Sequence, residues 1–142
     1  MVEGSCLCGS VRFTLDIDPG AAETQTKACH CRPCRKITGA FTSLNLTVPS
    51  KAFALTNGSL KTVKTTHADE GFEFALAFCP DCGSPIYAVP YWAGPQDILV
   101  IQVGTLDDAD VLEKVPAVEM NVKHRLGWVK DVEGAEQKEK YV

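Results

Sequence analysis

Seven cysteines stand in three tight groups: Cys6-Leu7-Cys8-Gly9, Cys29-His30-Cys31-Arg32-Pro33-Cys34 and Cys79-Pro80-Asp81-Cys82-Gly83. Thiols this close together form disulfides, work as redox dithiols or bind a soft metal such as zinc. The opening run Met-Val-Glu-Gly-Ser-Cys has no basic start followed by an apolar core, so no secretory signal is read. The thiols are therefore expected in a reducing, cytoplasmic setting, where metal or redox chemistry replaces structural disulfides. An odd number also leaves one thiol over in any purely disulfide scheme. In the last group two cysteines two residues apart, with Gly83 behind them, read as half of a tetrahedral zinc site. A redox dithiol would need a strand-to-helix junction, and Gly83-Ser84-Pro85 does not open a helix. Metal is the expected chemistry.

The other half of that site must come from elsewhere. Cys6 and Cys8 are expected to share one strand face, because side chains alternate with a period of two, and so to converge on one ion. Joining them to Cys79 and Cys82 would close most of the chain into a loop, and metal binding would then contribute directly to folding. The middle group can hold a metal largely by itself. Three protein ligands and one exchangeable position describe a catalytic zinc centre, whereas four describe a structural one. Seven divides as four plus three, but spacing leaves other partitions open. Cys29, Cys31 and Cys34 can also recruit one distant cysteine and leave a different pair idle.

The order of the three groups, Cys-x-Cys-Gly, then Cys-His-Cys-x-x-Cys-Arg-Lys, then Phe-Cys-x-x-Cys-Gly-Ser-Pro, resembles the glutathione-dependent formaldehyde-activating enzyme family, which includes centromere protein V-type domains. The resemblance runs from Gly4 to about Trp128 and fills every ligand position of the family pattern. It implies an Mss4-like β-tent. It implies a structural zinc on Cys6, Cys8, Cys79 and Cys82, and a second, substrate-accessible zinc on Cys29, Cys31 and Cys34. The activity implied is that of a carbon–sulfur lyase, glutathione plus formaldehyde giving S-hydroxymethylglutathione. Coordination chemistry agrees with it. Zinc on three thiolates carries a formal charge of about minus one and is a poor activator of water, but a soft site suits an incoming thiol. The alternative is a non-catalytic, zinc-stabilised interaction module, because fold and ligands alone do not establish catalysis.

Around the trio, Arg32, Arg35 and Lys36 are candidates to offset its charge or to hold the carboxylates of glutathione, and a solvated helix face explains them equally. His30 lies between two ligands; an ordinary hydrogen bond away from the metal is the expectation. His67 is assigned no role. Lys123-His124-Arg125 with Trp128 reads either as the lining of an anionic-substrate pocket or as an exposed polar strand edge. Tyr91 and Trp92 read as packing residues on a loop rather than as a ligand cover.

The elements that must position these residues are mostly strands. Apolar and polar residues alternate over Val11–Leu15, Thr42–Val48 and Phe72–Phe78, with a rougher match at Leu60–Thr66, and Ile86–Val89, Ile98–Val103 and Val118–Val122 complete the candidate strands. Turn residues separate them, which suggests a mainly β fold of short antiparallel strands. Helix is expected only over Arg32–Thr38, stopped by Gly39, and as a short turn within Leu106–Leu112. With 142 residues, one domain over 1–142 is expected, its core about 4–128 and its charged tail about 129–142 wrapping the surface or fraying.

Composition limits the partners. Fourteen Lys and Arg against eighteen Asp and Glu give a net charge of −4 with no dense basic block, which makes nucleic acid a poor partner. No apolar run approaches the roughly 20 residues needed to cross a bilayer. A small thiol and a small electrophile are the expected partners.

Overall fold

A computed structural model describes residues 1–91 and 97–141 of the chain. Alternation builds the first sheet. Strand β2 (Arg12–Leu15) buries Phe13 and Leu15 and exposes Arg12, and it lies between β1 (Val2–Ser5) and β5 (Phe53–Asn57), antiparallel to both. Phe13 fixes the close approach of β1. A Cβ on Gly4 would lie 2.2 Å from the Phe13 ring, so only glycine fits there.

The second sheet contains eight strands in the order β11-β10-β3-β4-β9-β8-β7-β6. These are β3 (Thr26–Cys29), β4 (Ser43–Pro49), β6 (Lys61–Thr66), β7 (Glu73–Phe78), β8 (Pro85–Pro90), β9 (Ile98–Gln102), β10 (Val118–Met120) and β11 (Glu136–Gln137). The pairs from β3–β4 through β9, β8 and β7 to β6 are antiparallel. At the other end the expectation of antiparallel strands gives way: β10 runs parallel to both β3 and β11. That end is reached by crossovers rather than hairpins, since long stretches of chain separate the partners.

Helix is confined to α1 (Arg32–Thr38) and α2 (Ala109–Leu112), with short 3₁₀ turns at Ser50–Ala52, Val103–Thr105 and Val122–His124. The first matches its expected bounds and ends on Gly39. The architecture is thus mainly β. Both sheets contribute to one apolar cluster, Val2, Phe13 and Leu15 from the small sheet meeting Leu46, Val48, Ile86, Leu99 and Ile101 from the large one. Phe53 bridges them, stacked on Phe13 at 5.2 Å and edge-on to Tyr87 at 5.1 Å. Among the described residues no helix is long and apolar enough to cross a membrane.

The tail takes the wrapping course of the two open to it. Its backbone N–H at Lys138 donates to Glu119, Asn121 and Val122 donate back to Lys140 and Lys138, and β11 adds a strand to the sheet. What holds it is a buried carboxylate. Glu119 accepts hydrogen bonds from the Val132 amide at 2.9 Å and the Gln137 amide at 2.7 Å, pairs with Arg125 at 3.0 Å, and meets His30 at 2.8 Å.

Candidate metal centres

The sulfurs fall into two groups, Cys6, Cys8, Cys79 and Cys82, and Cys29, Cys31 and Cys34, each with all its Sγ atoms within 4.8 Å of one another. This is the division expected from the family resemblance, and the other partitions drop out. Tetrahedral zinc with bonds of 2.3 Å places its sulfurs about 3.8 Å apart. The observed Cys6–Cys8 and Cys8–Cys79 separations of 3.6 and 3.9 Å fit such an ion. Both groups can hold a metal.

The quartet is made by two tight turns that face each other. Cys79 and Cys82 sit on the turn between β7 and β8, where Gly83 N–H returns to Cys79 C=O at 2.9 Å. Cys6 and Cys8 are not on a strand face as expected from their spacing. Strand β1 ends at Ser5, and the pair lies on a turn closed by Gly9 N–H to Cys6 C=O at 3.1 Å. Gly9 and Gly83 both adopt φ of 77°, the left-handed conformation that glycine enters without a Cβ clash. The two turns differ in length, Gly9 closing on the third residue before it and Gly83 on the fourth, but each places its glycine directly after the second cysteine of the pair. Two serines complete the surroundings. Ser10 Oγ lies 3.1 Å from Cys8 Sγ and 3.3 Å from Cys79 Sγ, and Ser84 Oγ lies 3.2 Å from Cys82 Sγ while accepting the Leu7 N–H at 2.9 Å. The Ser84 hydroxyl first, then backbone groups of Ser84 and Cys8, bring the Cys82 thiol down to about 5, which readies it as a ligand.

The trio is built on a strand end and a helix start. Cys29 is the last residue of β3, Cys31 is the N-cap of α1, and Cys34 lies in the first turn, with Pro33 favoured near the helix start. Cys31 Sγ accepts the Cys34 N–H at 3.3 Å, and Cys29 Sγ accepts from Asn121 Nδ2 at 3.4 Å. Asn121 follows β10 in the left-handed conformation, a backbone region that asparagine tolerates better than most residues. The three sulfurs share protons. Accepting from Cys29 and Cys34 brings Cys31 down to about 2, while Cys29 is pushed up to about 11 by its bond to Cys31, and Cys34 is raised by Cys29 and Cys31. Like charges this close cannot all persist, so a metal ion there would displace the remaining thiol protons.

No fourth Cys, His, Asp or Glu atom joins the trio among the described residues. His30, 1% exposed, turns Nε2 to Glu119 as the ordinary hydrogen-bond reading expects. The flanking cations are mostly engaged. Arg32 pairs with Asp69, Lys123 lies 3.6 Å from Glu70, His124 lies 3.7 Å from Asp69, and Arg125 holds Glu119. Lys123-His124-Arg125 is therefore neither a bare anion pocket nor a strand edge; it spans a 3₁₀ turn locked to carboxylates. Arg35 is half-buried and Lys36 exposed at the last turn of α1. Trp128, 71% exposed, packs edge-on against Phe41 at 5.3 Å. Tyr91 lies under Lys64, 5.3 Å from its ring centre, while Trp92 lies outside the described residues.

Two residues near the trio were not singled out by the sequence. Tyr141 Oη lies 3.5 Å from Cys31 Sγ and 2.9 Å from Nε2 of His67, a histidine 2% exposed. The aromatic residue at the end of a charged run was the signal on offer. Burial first, then the charge of Cys29 and Cys31, pushes the Tyr141 hydroxyl up, so it stays a donor.

The description "glutathione-dependent formaldehyde-activating enzyme" belongs to a family model that matches residues 1–124. Among solved structures, a crystal structure of a Rhodobacter sphaeroides protein is similar in fold, with a TM-score of 0.56 and 20% identity, covering 80% of this chain and 97% of that one. No curated protein matches the sequence.

Proposed function

Because the chain belongs to the glutathione-dependent formaldehyde-activating enzyme family, we propose that it is a zinc-dependent carbon–sulfur lyase acting at Cys29, Cys31 and Cys34. The family supports a glutathione-related, formaldehyde-activating or related function in general. The observation that carries the finer reading is the contrast between the two centres: four sulfurs converge in one and three in the other, with no further Cys, His, Asp or Glu atom beside the three among the described residues. An open position on a soft centre is suited to a thiol.

A zinc ion on the trio would supply a position at which an incoming thiol gives up its proton and remains an electron-rich sulfur nucleophile. The reaction proposed is addition of glutathione to formaldehyde, or of a similar small thiol to a related electrophile. The sulfur bonds to the carbonyl carbon, the carbonyl π pair goes to oxygen, and that oxygen takes up the proton the thiol released. The protein contributes position and charge. Cys34 N–H and Asn121 Nδ2 restrain Cys31 and Cys29. The half-buried Arg35 and the exposed Lys36, in the last turn of α1, are the cations proposed to hold the carboxylates of glutathione. Arg32 joins them only by releasing Asp69.

The test is exchange spectroscopy of glutathione and formaldehyde with zinc-loaded protein. The reading predicts that wild type accelerates interconversion with S-hydroxymethylglutathione and that Cys34→Ala abolishes the acceleration. No acceleration by fully loaded wild type, under conditions where glutathione binds, would leave the protein a binding module.

A further inference from the structure

The last residues of the chain return to the trio, and the hydrogen bonds there have one direction. His67 Nδ1 accepts two backbone N–H groups, Asp69 at 3.2 Å and Glu70 at 3.1 Å. A ring nitrogen that accepts carries no proton, so the neutral imidazole keeps its proton on Nε2. Nε2–H therefore donates to Tyr141 Oη, 2.9 Å away. The phenol O–H in turn donates to Cys31 Sγ at 3.5 Å. The order is His67 to Tyr141 to Cys31.

The surroundings hold this arrangement in place. The rings of His67 and Phe72 each meet Tyr141 edge-on at 5.8 Å, and His67 itself packs 4.9 Å from Phe72. The strand β11 and the Glu119 clasp bring the chain end back from Arg125, so Tyr141 reaches the trio from a segment remote from all three cysteines in sequence.

We propose that Tyr141, oriented by His67, is a positioning residue of the three-sulfur centre: its hydroxyl donates to Cys31, fixing that sulfur and drawing charge from it. A hydrogen bond to a ligand sulfur lowers the energy of its lone pairs and weakens its donation to a bound metal, which leaves the metal a better acceptor for an incoming thiol. The inference rests on the trio holding a metal and is independent of turnover.

Cobalt(II), loaded in place of zinc, provides the test, because its sulfur-to-metal charge-transfer bands report the charge on the sulfurs. The spectrum is recorded on wild type, Tyr141→Phe and His67→Asn without thiol or aldehyde. Phenylalanine keeps the ring contacts, and the Asn amide oxygen can replace Nδ1 as acceptor while Nε2–H is lost. The expected result is a shift of the trio band to lower energy in Tyr141→Phe and a smaller shift the same way in His67→Asn, both at full metal content. In a Cys34→Ala background, which empties the trio, Tyr141→Phe should change nothing. An unmoved band in fully loaded Tyr141→Phe would overturn the proposal, and an unmoved band in His67→Asn would remove His67 from it. Shifted bands without turnover would sustain this inference while the lyase reading fell.

Discussion

A sulfur ligand is governed by the donors within about 3.5 Å of it, and in this chain the two centres are furnished differently. Serine hydroxyls and turn amides surround the quartet, whereas a helix amide, an asparagine and a tyrosine surround the trio. The chemistry at single residues is accordingly separable. Zinc analysis of wild type should give about two equivalents and of Cys34→Ala about one, with the thermal unfolding of the variant little changed. The cations near the trio divide likewise. Arg35→Ala and Lys36→Ala are expected to raise KM for glutathione several-fold with kcat nearly constant, measured by initial rates, because they would bind carboxylates far from the reacting carbon. Arg32→Ala should leave the thermal unfolding nearly unchanged, since more than half of the Arg32 side chain lies in solvent. The three cysteine groups and their capacity to hold metal were legible in the sequence because thiol spacing is a local signal, while their division into four and three came from the family resemblance. Tyr141 and His67 were not, because what joins them is a chain reversal 74 positions long.

Elements carry the site by holding distant segments in register. Gly4 is the clearest case: a methyl group there would displace the Phe13 ring, and Gly4→Ala is expected to cost about 1–3 kcal/mol in chemical denaturation. Glu119 plays the same part for the tail. Burial alone would raise its carboxyl, but the bonds from Gln137, Val132 N–H and His30 and the Arg125 charge prevail and bring it down to about 2 from an ordinary 4.5. A depressed carboxyl contributes stability that is fully present above the unfolded value and is lost as pH falls through the folded one. The clasp should therefore weaken between about pH 4.5 and 2, by on the order of 3 kcal/mol, followed as acid-induced release of the C-terminus. Glu119→Ala should release it at neutral pH, seen as rapid proteolysis after Leu126, because Arg125 is left without its buried partner. Long alternating strands such as β4 and β7 were readable from period two alone, and α1 from its stop at Gly39. The two-residue β11 is too short to show a period, and Cys6-x-Cys8 was misplaced on a strand because its spacing fits a strand face while Gly9 turns it.

At the scale of the whole molecule, the quartet joins the small sheet, through the turn after β1, to the large sheet at the β7–β8 turn. Removing a metal held there would free four thiolates at the seam between sheets, so a chelator should lower the unfolding temperature of the metal-loaded protein sharply, and Cys79→Ala should do so without chelator. The trio sits at the opposite kind of junction, where β3, α1, β10 and the returning tail meet, and its loss should be felt in binding rather than in folding. The central claim is that this second centre receives a thiol. A crystal structure of the zinc-loaded protein with glutathione, with the metals located by anomalous scattering, tests it most directly. The account predicts one zinc on four cysteines and a second on Cys29, Cys31 and Cys34, the latter completed by the glutathione sulfur at about 2.3 Å. A protein atom in that fourth position, or glutathione bound elsewhere with the second zinc unchanged, would contradict it.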